Sequence, residues 1–241
     1  MKQFNALSLS YKDTSIQFRE LFSFDDEKVR GLLNQFKTIL GLEEVLIIST
    51  CNRSEIYFTS TKKKVEEVIK FLALKVRLPK NSISKHFRYY KGEAAAQHLF
   101  EVALGLDSMI LGDMQIINQV KRAYQLSADE QTAGPFLHRL LHSIFHTNKR
   151  VTNETKFKEG NSSLASAAVY RAKEFSTQFK TPKIVIIGMG EIGQNVAENL
   201  KNFNGQIVVI NRSSEKSRKL AEKYRFEFQP YESINSAIEN A

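Results

Sequence analysis

Apolar and polar positions alternate over residues 4–9, the pattern of a strand with one face buried. Ser23, followed by Asp25, Asp26 and Glu27, has the composition of a helix start. Val29, Leu32, Leu33, Phe36 and Leu40 then recur at helical spacing until Gly41. Val45-Leu46-Ile47-Ile48 and Ile56-Tyr57-Phe58 are short apolar runs, which predict two strands joined by the polar stretch Ser49-Thr50-Cys51-Asn52-Arg53-Ser54. Val65, Val68, Ile69 and Leu72 mark a second helix, ended by Pro79, and a strand is expected near residues 87–90. The first eighty residues therefore predict a β-α-β-β-α succession, an α+β arrangement.

From Gly92 to about Phe179 the helical spacing breaks only at residues 105–112, around Gly134-Pro135 and near Gly160-Asn161, which predicts four helices and no strand. From Lys183 the pattern changes. A buried strand over 184–187 is followed by a glycine turn, a helix over 191–202, a second strand over 207–210 and a further helix, the beginning of a doubly wound parallel sheet. The expected fold class is α/β: an α+β domain with a helical extension over residues 1–155, then a Rossmann-type domain over 156–241. A doubly wound cofactor domain has about six strands. Two clear ones precede Ala241, so the sequence predicts an incomplete domain whose remaining strands lie outside this chain.

Charge adds one feature to this picture. The net charge is +9, and residues 61–100 hold ten basic and three acidic side chains. Lys62, Lys63, Lys64, Lys70, Lys75, Arg77, Lys80, Lys85, Arg88 and Lys91, with Tyr89 and Tyr90, are candidates for a surface that attracts a polyanion such as RNA; a solvated helix face is the competing reading. A single cysteine excludes an internal disulfide and suits a reducing compartment. With no apolar run of eighteen residues and no secretory signal, a cytoplasmic protein without a membrane partner is expected. No metal site is expected.

Gly188-Met189-Gly190-Glu191-Ile192-Gly193 follows a predicted strand and opens a predicted helix. In that context the first glycine allows a tight turn. The second lets a pyrophosphate approach the helix N-terminus, and the third permits close packing of helix on strand. A purely structural glycine turn is the alternative. The second strand ends in Asn211-Arg212-Ser213 rather than in the Asp or Glu that holds a ribose 2′-hydroxyl, so a 2′-phosphate is favoured and the cofactor reads as NADPH. Cys51 lies in the polar stretch with Thr50, Asn52 and Arg53. Such neighbours favour a nucleophile over a buried apolar filler, because Arg53 can stabilise a thiolate and a strand-end loop can present it. His98 stands on the helix beginning near Gly92, where packing and catalysis are both open. Asp107-Ser108 and Gly112-Asp113-Met114-Gln115 form a polar break before the next helix, and Asp107, Ser108 and Asp113 are also good helix-capping types.

Taken together these segments resemble the glutamyl-tRNA reductase family along the whole chain. The most specific words are Ser49-Thr50-Cys51-Asn52-Arg53-Ser54-Glu55-Ile56-Tyr57, His98-Leu99-Phe100, Gly105-Leu106-Asp107-Ser108-Met109-Ile110-Leu111-Gly112-Asp113, Gln115-Ile116 and Gln119-Val120-Lys121. Lys149-Arg150-Val151-Thr152-Asn153-Glu154-Thr155 and Ser166-Ala167-Ala168-Val169 also match. The resemblance implies that a Cys51 thiolate attacks the ester of glutamyl-tRNA and that NADPH reduces the resulting thioester to glutamate-1-semialdehyde, the first step of porphyrin and other tetrapyrrole synthesis by the five-carbon route. It implies substrate-contacting positions at Thr50, Asn52, Arg53, Ser108, Asp113, Met114, Gln115 and Gln119, and a position important for activity at His98. It further implies that Arg53 pairs with the glutamate side-chain carboxylate, and that the complete protein is a homodimer through a C-terminal domain, with the downstream aminomutase as a possible partner. The chain departs from the family pattern at Tyr11-Lys12-Asp13-Thr14-Ser15, where His-Lys-Thr-Ala-Pro is usual, at Asp113 in place of Glu, and at Met114 in place of Pro.

Overall fold

The computed structural model describes residues 3–60, 64–157 and 164–239. The chain divides into two units, residues 1–157 and residues 158–241. The first unit runs β1 (Gln3–Ser10), α1 (Ile16–Glu20), α2 (Asp26–Thr38), β2 (Val45–Ser49), β3 (Arg53–Ser60), α3 (Lys64–Lys75), α4 (Lys80–Ser84), β4 (Arg88–Lys91), α5 (Glu93–Leu104), α6 (Gln115–Asp129) and α7 (Pro135–Glu154). Its four strands lie in the order β2-β3-β1-β4, and every neighbouring pair is antiparallel. This is the split β-α-β-β-α-β arrangement, with β1 and β3 in the centre. α1 and α4 are not foreseen by the pattern. Each has five residues, and between them they bury Ile83 alone, too little for a periodic signal.

Strand alternation gives the sheet two different faces. Leu7, Leu9, Ile47, Ile56 and Phe58 pack with Val29, Leu33 and Phe36 of α2 and Val68 and Leu72 of α3. Phe4, Ala6, Leu46, Ile48 and Tyr57 pack with Leu99 and Val102 of α5, Ile116 and Val120 of α6, and Leu137, Leu141 and Ile144 of α7. Helices cover both faces, so the four consecutive apolar residues of β2 are all buried.

Local chemistry fixes the helix ends. Asp25 caps α2 by accepting from the Lys28 amide at 2.9 Å, and Gly41 adopts a φ of +64° just beyond its end. The turn between α6 and α7 is fastened to the start of β2. The Val45 amide donates to the Thr132 carbonyl at 2.8 Å, and the Glu44 carboxylate accepts from the Phe136 amide at 2.9 Å, where the helix dipole favours an anion.

The second unit contains α8 (Leu164–Ser176), β5 (Lys183–Ile187), α9 (Glu191–Asn199), β6 (Gln206–Ile210), α10 (Ser214–Tyr224), β7 (Glu227–Phe228), a 3₁₀ turn (Tyr231–Ser233) and α11 (Ile234–Glu239). The strands are parallel in the order β5-β6-β7. This is the succession of one half of a Rossmann-type sheet. Two expectations need correction. A third strand, β7, follows the two that the apolar runs predict; it has only two residues, below the length at which alternation is visible. α9 ends at Asn199 rather than 202, because the Leu200 amide already closes the last turn onto Val196 and Ala197. The predicted break near Gly160-Asn161 lies outside the described residues. Among the described residues no helix is long and apolar enough to cross a membrane.

Candidate active site

The hairpin between β2 and β3 is tighter than the sequence suggests. Ser49 already belongs to β2 and Arg53 and Ser54 to β3, leaving Thr50, Cys51 and Asn52 as the loop. Thr50 organises it: its amide donates to the Arg53 carbonyl at 2.9 Å, and its hydroxyl accepts from the Asn52 and Arg53 amides at 3.2 and 3.1 Å. The Asn52 carbonyl accepts from the Tyr11 amide at 2.9 Å, and Arg19 reaches the Cys51 carbonyl at 3.4 Å. Cys51 is thus exposed on a loop whose backbone is held from both sides.

Arg53 faces inward and is only 3% exposed. Its guanidinium bonds Glu55 at 3.1 Å and the Asp107 carboxylate at 3.0 Å, and donates to the Asp107 carbonyl. Asp107 in turn pairs with Lys12. Glu55, wholly buried, also accepts from the Ser8 hydroxyl at 2.9 Å and from Tyr57 at 3.3 Å, and meets His98 Nε2 at 3.0 Å. A chain of polar groups therefore runs from Lys12 through Asp107, Arg53 and Glu55 to His98, whose ring stacks on Tyr90 with centroids 4.2 Å apart. The expectation that Arg53 serves the Cys51 thiolate needs correction, since its guanidinium is taken up by two carboxylates. His98 is buried against Glu55 and is linked to the Cys51 loop through Glu55 and Arg53.

The charges respond to this packing. Burial works against the Arg53 cation, yet the carboxylates of Glu55 and Asp107 outweigh it and raise its pKa. Burial likewise opposes the Asp107 anion, and the bonds to Lys12 and Arg53 overcome it, holding its carboxyl below the usual range. Lys12 is raised by its bond to Asp107. Burial, followed by the neighbouring Glu55 charge, pushes the Tyr57 hydroxyl well up.

Asp107 and Ser108 lie in the loop between α5 and α6, which is closed by two left-handed glycines, Gly105 with φ +80° and Gly112 with φ +79°. The Gly112 amide donates to the Gly105 carbonyl at 3.0 Å. A Cβ on Gly105 would stand 2.8 Å from the Asp113 nitrogen, so only glycine fits this throat. Asp113 turns back to accept from the Gln115 amide at 2.9 Å, securing the start of α6. Among the described residues Ser108, Met114 and Gln119 have no side-chain hydrogen bond, so the structure links Asp107, rather than these three, directly to Arg53. Glu55 and Ser8 were missed at the level of sequence. A signal was present, because Arg53, Glu55 and Tyr57 are spaced by two and share one face of a strand.

In the second unit the glycine turn has the form its sequence implies. Gly188 has a φ of +97°, and its amide donates to the Ile210 carbonyl at 2.8 Å. Gly190 opens α9, with open space where a Cβ would lie. At Gly193 a Cβ would stand 1.9 Å from the Gly188 carbonyl oxygen, so this glycine brings the helix onto the turn. Met189 is buried beneath the turn, while Glu191 and Ile192 are exposed on the first turn of α9. Asn211 accepts from the Met189 amide at 3.1 Å and donates to the Ser213 carbonyl at 3.0 Å, so it braces the turn. Arg212 and Ser213 are exposed beside it.

The basic segment is less free than its composition suggests. Lys64 pairs with Glu67, Lys80 with Glu66 and Arg88 with Asp13, while Lys62 and Lys63 lie outside the described residues. Among the described residues no group of three or more His, Cys, Asp and Glu side chains is placed to hold a metal ion.

Comparison with known proteins gives two family matches. The family described as glutamyl-tRNA(Glu) reductase, N-terminal domain, matches residues 7–155, and that described as shikimate/quinate 5-dehydrogenase matches residues 170–241. The chain is 41% identical to the glutamyl-tRNA reductase of Cytophaga hutchinsonii over 245 aligned residues, covering 100% of this chain and 58% of that protein. It is 33% identical to the glutamyl-tRNA reductase of Bacillus subtilis, covering 98% and 52%. A solved structure of glutamyl-tRNA reductase from Methanopyrus kandleri superimposes with a TM-score of 0.64 at 28% identity, covering 97% of this chain and 55% of that one. The chain thus spans about half the length of the relatives it matches.

Proposed function

The chain belongs to the glutamyl-tRNA reductase family, and on that premise we propose that its first unit attacks glutamyl-tRNA with Cys51 and that the whole protein reduces the product to glutamate-1-semialdehyde for tetrapyrrole synthesis. Residues 1–155 are then the catalytic, glutamyl-tRNA-binding domain, and residues 156–241 the first part of an NADPH-binding domain. The observation that carries the reading is the exposed Cys51 on a three-residue loop held by Thr50, Tyr11 and Arg19.

The Cys51 thiolate adds to the ester carbonyl that joins glutamate to the terminal ribose. The carbon–oxygen bond to the ribose breaks, the ribose oxygen takes a proton, tRNA departs, and a glutamyl thioester remains on the sulfur. Arg53 is the cation for the glutamate side-chain carboxylate, a pairing suited to a guanidinium. To reach it, that carboxylate exchanges with Asp107, the more exposed of its two partners, with a side chain 17% exposed against 0% for Glu55. Glu55, with His98 behind it, keeps Arg53 in place while the exchange occurs. Thr50 and Asn52 line the loop, and Ser108, Asp113, Met114, Gln115 and Gln119 supply the opposing wall at which the glutamate is oriented.

The second unit suits a phosphorylated dinucleotide. Gly190 leaves room at the N-terminus of α9, no acid follows β6, and the exposed Arg212 and Ser213 suit a 2′-phosphate. NADPH, when bound, supplies the hydride that converts the thioester to the aldehyde. The setting is cytoplasmic, and the partners beyond glutamyl-tRNA are a second copy of the complete protein and the aminomutase that consumes the aldehyde.

The test is to mix the chain with glutamyl-tRNA, quench with acid and search for a glutamyl adduct on the Cys51 peptide by mass spectrometry. Cys51→Ser is expected to give no adduct and to release glutamate at least about a hundredfold more slowly. Equal glutamate release by both proteins, with no adduct on either, would overturn the proposal.

A further inference from the structure

α7 carries a surface of basic and imidazole side chains that the chemistry at Cys51 leaves unused. Residues 131–153 contain no Asp or Glu. His138, Arg139, His142, His146 and Lys149 are all exposed. At about 100° of rotation per residue they fall within an arc of roughly 100°, on the side away from the buried Leu137, Leu141 and Ile144. The acid that ends the helix, Glu154, is already held by Arg150 through two bonds of 3.0 Å. Among the described residues no carboxylate pairs with Arg139 or Lys149, in contrast to Lys64, Lys80 and Arg88 of the basic segment.

Aromatic rings border the stripe. The Tyr124 ring of α6 lies 5.4 Å from that of His138, 6.4 Å from that of His142 and 6.0 Å from that of Phe145 between centroids, and its hydroxyl is hydrogen-bonded to His138. Lys121 stands over the Phe145 ring at 5.9 Å. Tyr124 and Phe145 are half-buried against the core, so they offer ring edges, not open faces, beside the cations. Cations that bind phosphate next to such edges suit an RNA, whose riboses and bases can meet them, better than an acidic polypeptide, which would use the cations alone.

The stripe also has a direction. A Cβ on Gly112 would lie 3.1 Å from the carbonyl oxygen of Phe157, just past the end of α7, so that end abuts the loop whose Asp107 holds Arg53. At about 1.5 Å per residue, Lys149 lies roughly 8 Å and His138 roughly 24 Å back from Glu154 along the axis. The stretch between them is about 16 Å and carries its two fixed cations, Arg139 and Lys149, near its ends, where they can meet separate phosphates of one strand.

We infer that this stripe of α7 receives the phosphates of the tRNA acceptor arm while the aminoacylated end lies at Cys51. The inference rests on the reading of Cys51 given above. Its test measures binding of fluorescently labelled, uncharged tRNA(Glu) to the whole chain by anisotropy across a salt series. The double variant Arg139→Glu/Lys149→Glu is expected to bind about tenfold or more weakly, with the slope of log K against log salt reduced by between about 1 and 2. A matched reversal in the basic segment, Lys85→Glu/Lys91→Glu, is expected to stay within about twofold of the parent. Reaction of Cys51 with glutamyl-adenosine, which has no phosphate, should be the same in the α7 variant as in the parent. The inference is overturned if the α7 variant binds tRNA as the parent does, if both reversals weaken binding equally, or if polyglutamate competes as well as tRNA at equal charge. Should the parent bind tRNA through α7 while Cys51 reacts with neither substrate, the stripe stands and the thioester reading falls.

Discussion

Replacing Glu55 with Gln asks whether charge or shape holds the polar chain beneath the Cys51 loop. Glu55 is wholly buried and serves Ser8 and Arg53 with one oxygen and Tyr57 and His98 with the other. Gln preserves the volume but turns an NH₂ group toward one of these pairs and leaves Arg53, 3% exposed, with Asp107 as its one remaining anion among the described residues. Removing one partner of a buried ion pair costs about 3–5 kcal/mol. Because Asp107 still compensates the guanidinium, the lower end, about 3 kcal/mol, is expected. At about 2–4 °C per kcal/mol for a domain of this size, the first unit should melt roughly 6–12 °C earlier. Urea-dependent hydrogen exchange, read on peptides covering residues 53–60, reports this unit by itself. In the double variant Arg53→Met/Glu55→Gln the losses should fall short of their sum by about 2 kcal/mol. Strict additivity, or a Glu55→Gln loss under about 1 kcal/mol, would refute the claim that the pair is electrostatically coupled.

The carboxyl of Asp107 is held below its usual range, so its stabilising contribution is complete above the unfolded value of about 3.9 and disappears as pH falls through the lowered folded value. The stability difference between the parent and Asp107→Asn should therefore be constant at neutral pH and shrink below about pH 4; urea unfolding at several pH values checks this, and a difference independent of pH contradicts it. Gly193→Ala places a methyl group against the Gly188 carbonyl oxygen and should destabilise the second unit by about 1–3 kcal/mol, with unchanged thermal unfolding as the contrary result. Arg212→Ala should reduce a preference for NADPH over NADH by about tenfold, measured through the fluorescence of the bound reduced nicotinamide; equal binding of both cofactors by the parent would end this reading of Asn211-Arg212-Ser213.

Periodicity made the larger elements legible and left the small ones hidden. β1, α2, β2 and the four helices after Gly92 each repeat an apolar spacing often enough to be recognised. α1, α4 and β7 are too short to do so. At the candidate site, the Cys51 loop and the Gly188 turn could be read because their chemistry is local: adjacent polar residues in one case, glycine spacing in the other. The union of Arg53 with Asp107 could not, because 54 residues separate them and the contact exists only once the Gly105–Gly112 loop closes. Glu55 was hidden differently. An acid at the end of a polar stretch is ordinarily assigned to solvent, and it is the helical layer over that face of the sheet that encloses it.

β3 also behaves as a ruler marked in steps of two. Arg53, Glu55 and Tyr57 point toward α5–α7, while Ser54, Ile56 and Phe58 point toward α2 and α3, where the Ser54 hydroxyl donates to the Phe22 carbonyl at 2.6 Å. Deleting a single residue within this strand would exchange the two sets, thrusting a guanidinium and a carboxylate among Val29, Leu33 and Phe36 and carrying Ile56 toward Ser8 and His98. The strand can consequently change length only by whole pairs of residues. Insertions and deletions of a single residue must therefore fall outside the strand, in segments that carry no face to either layer.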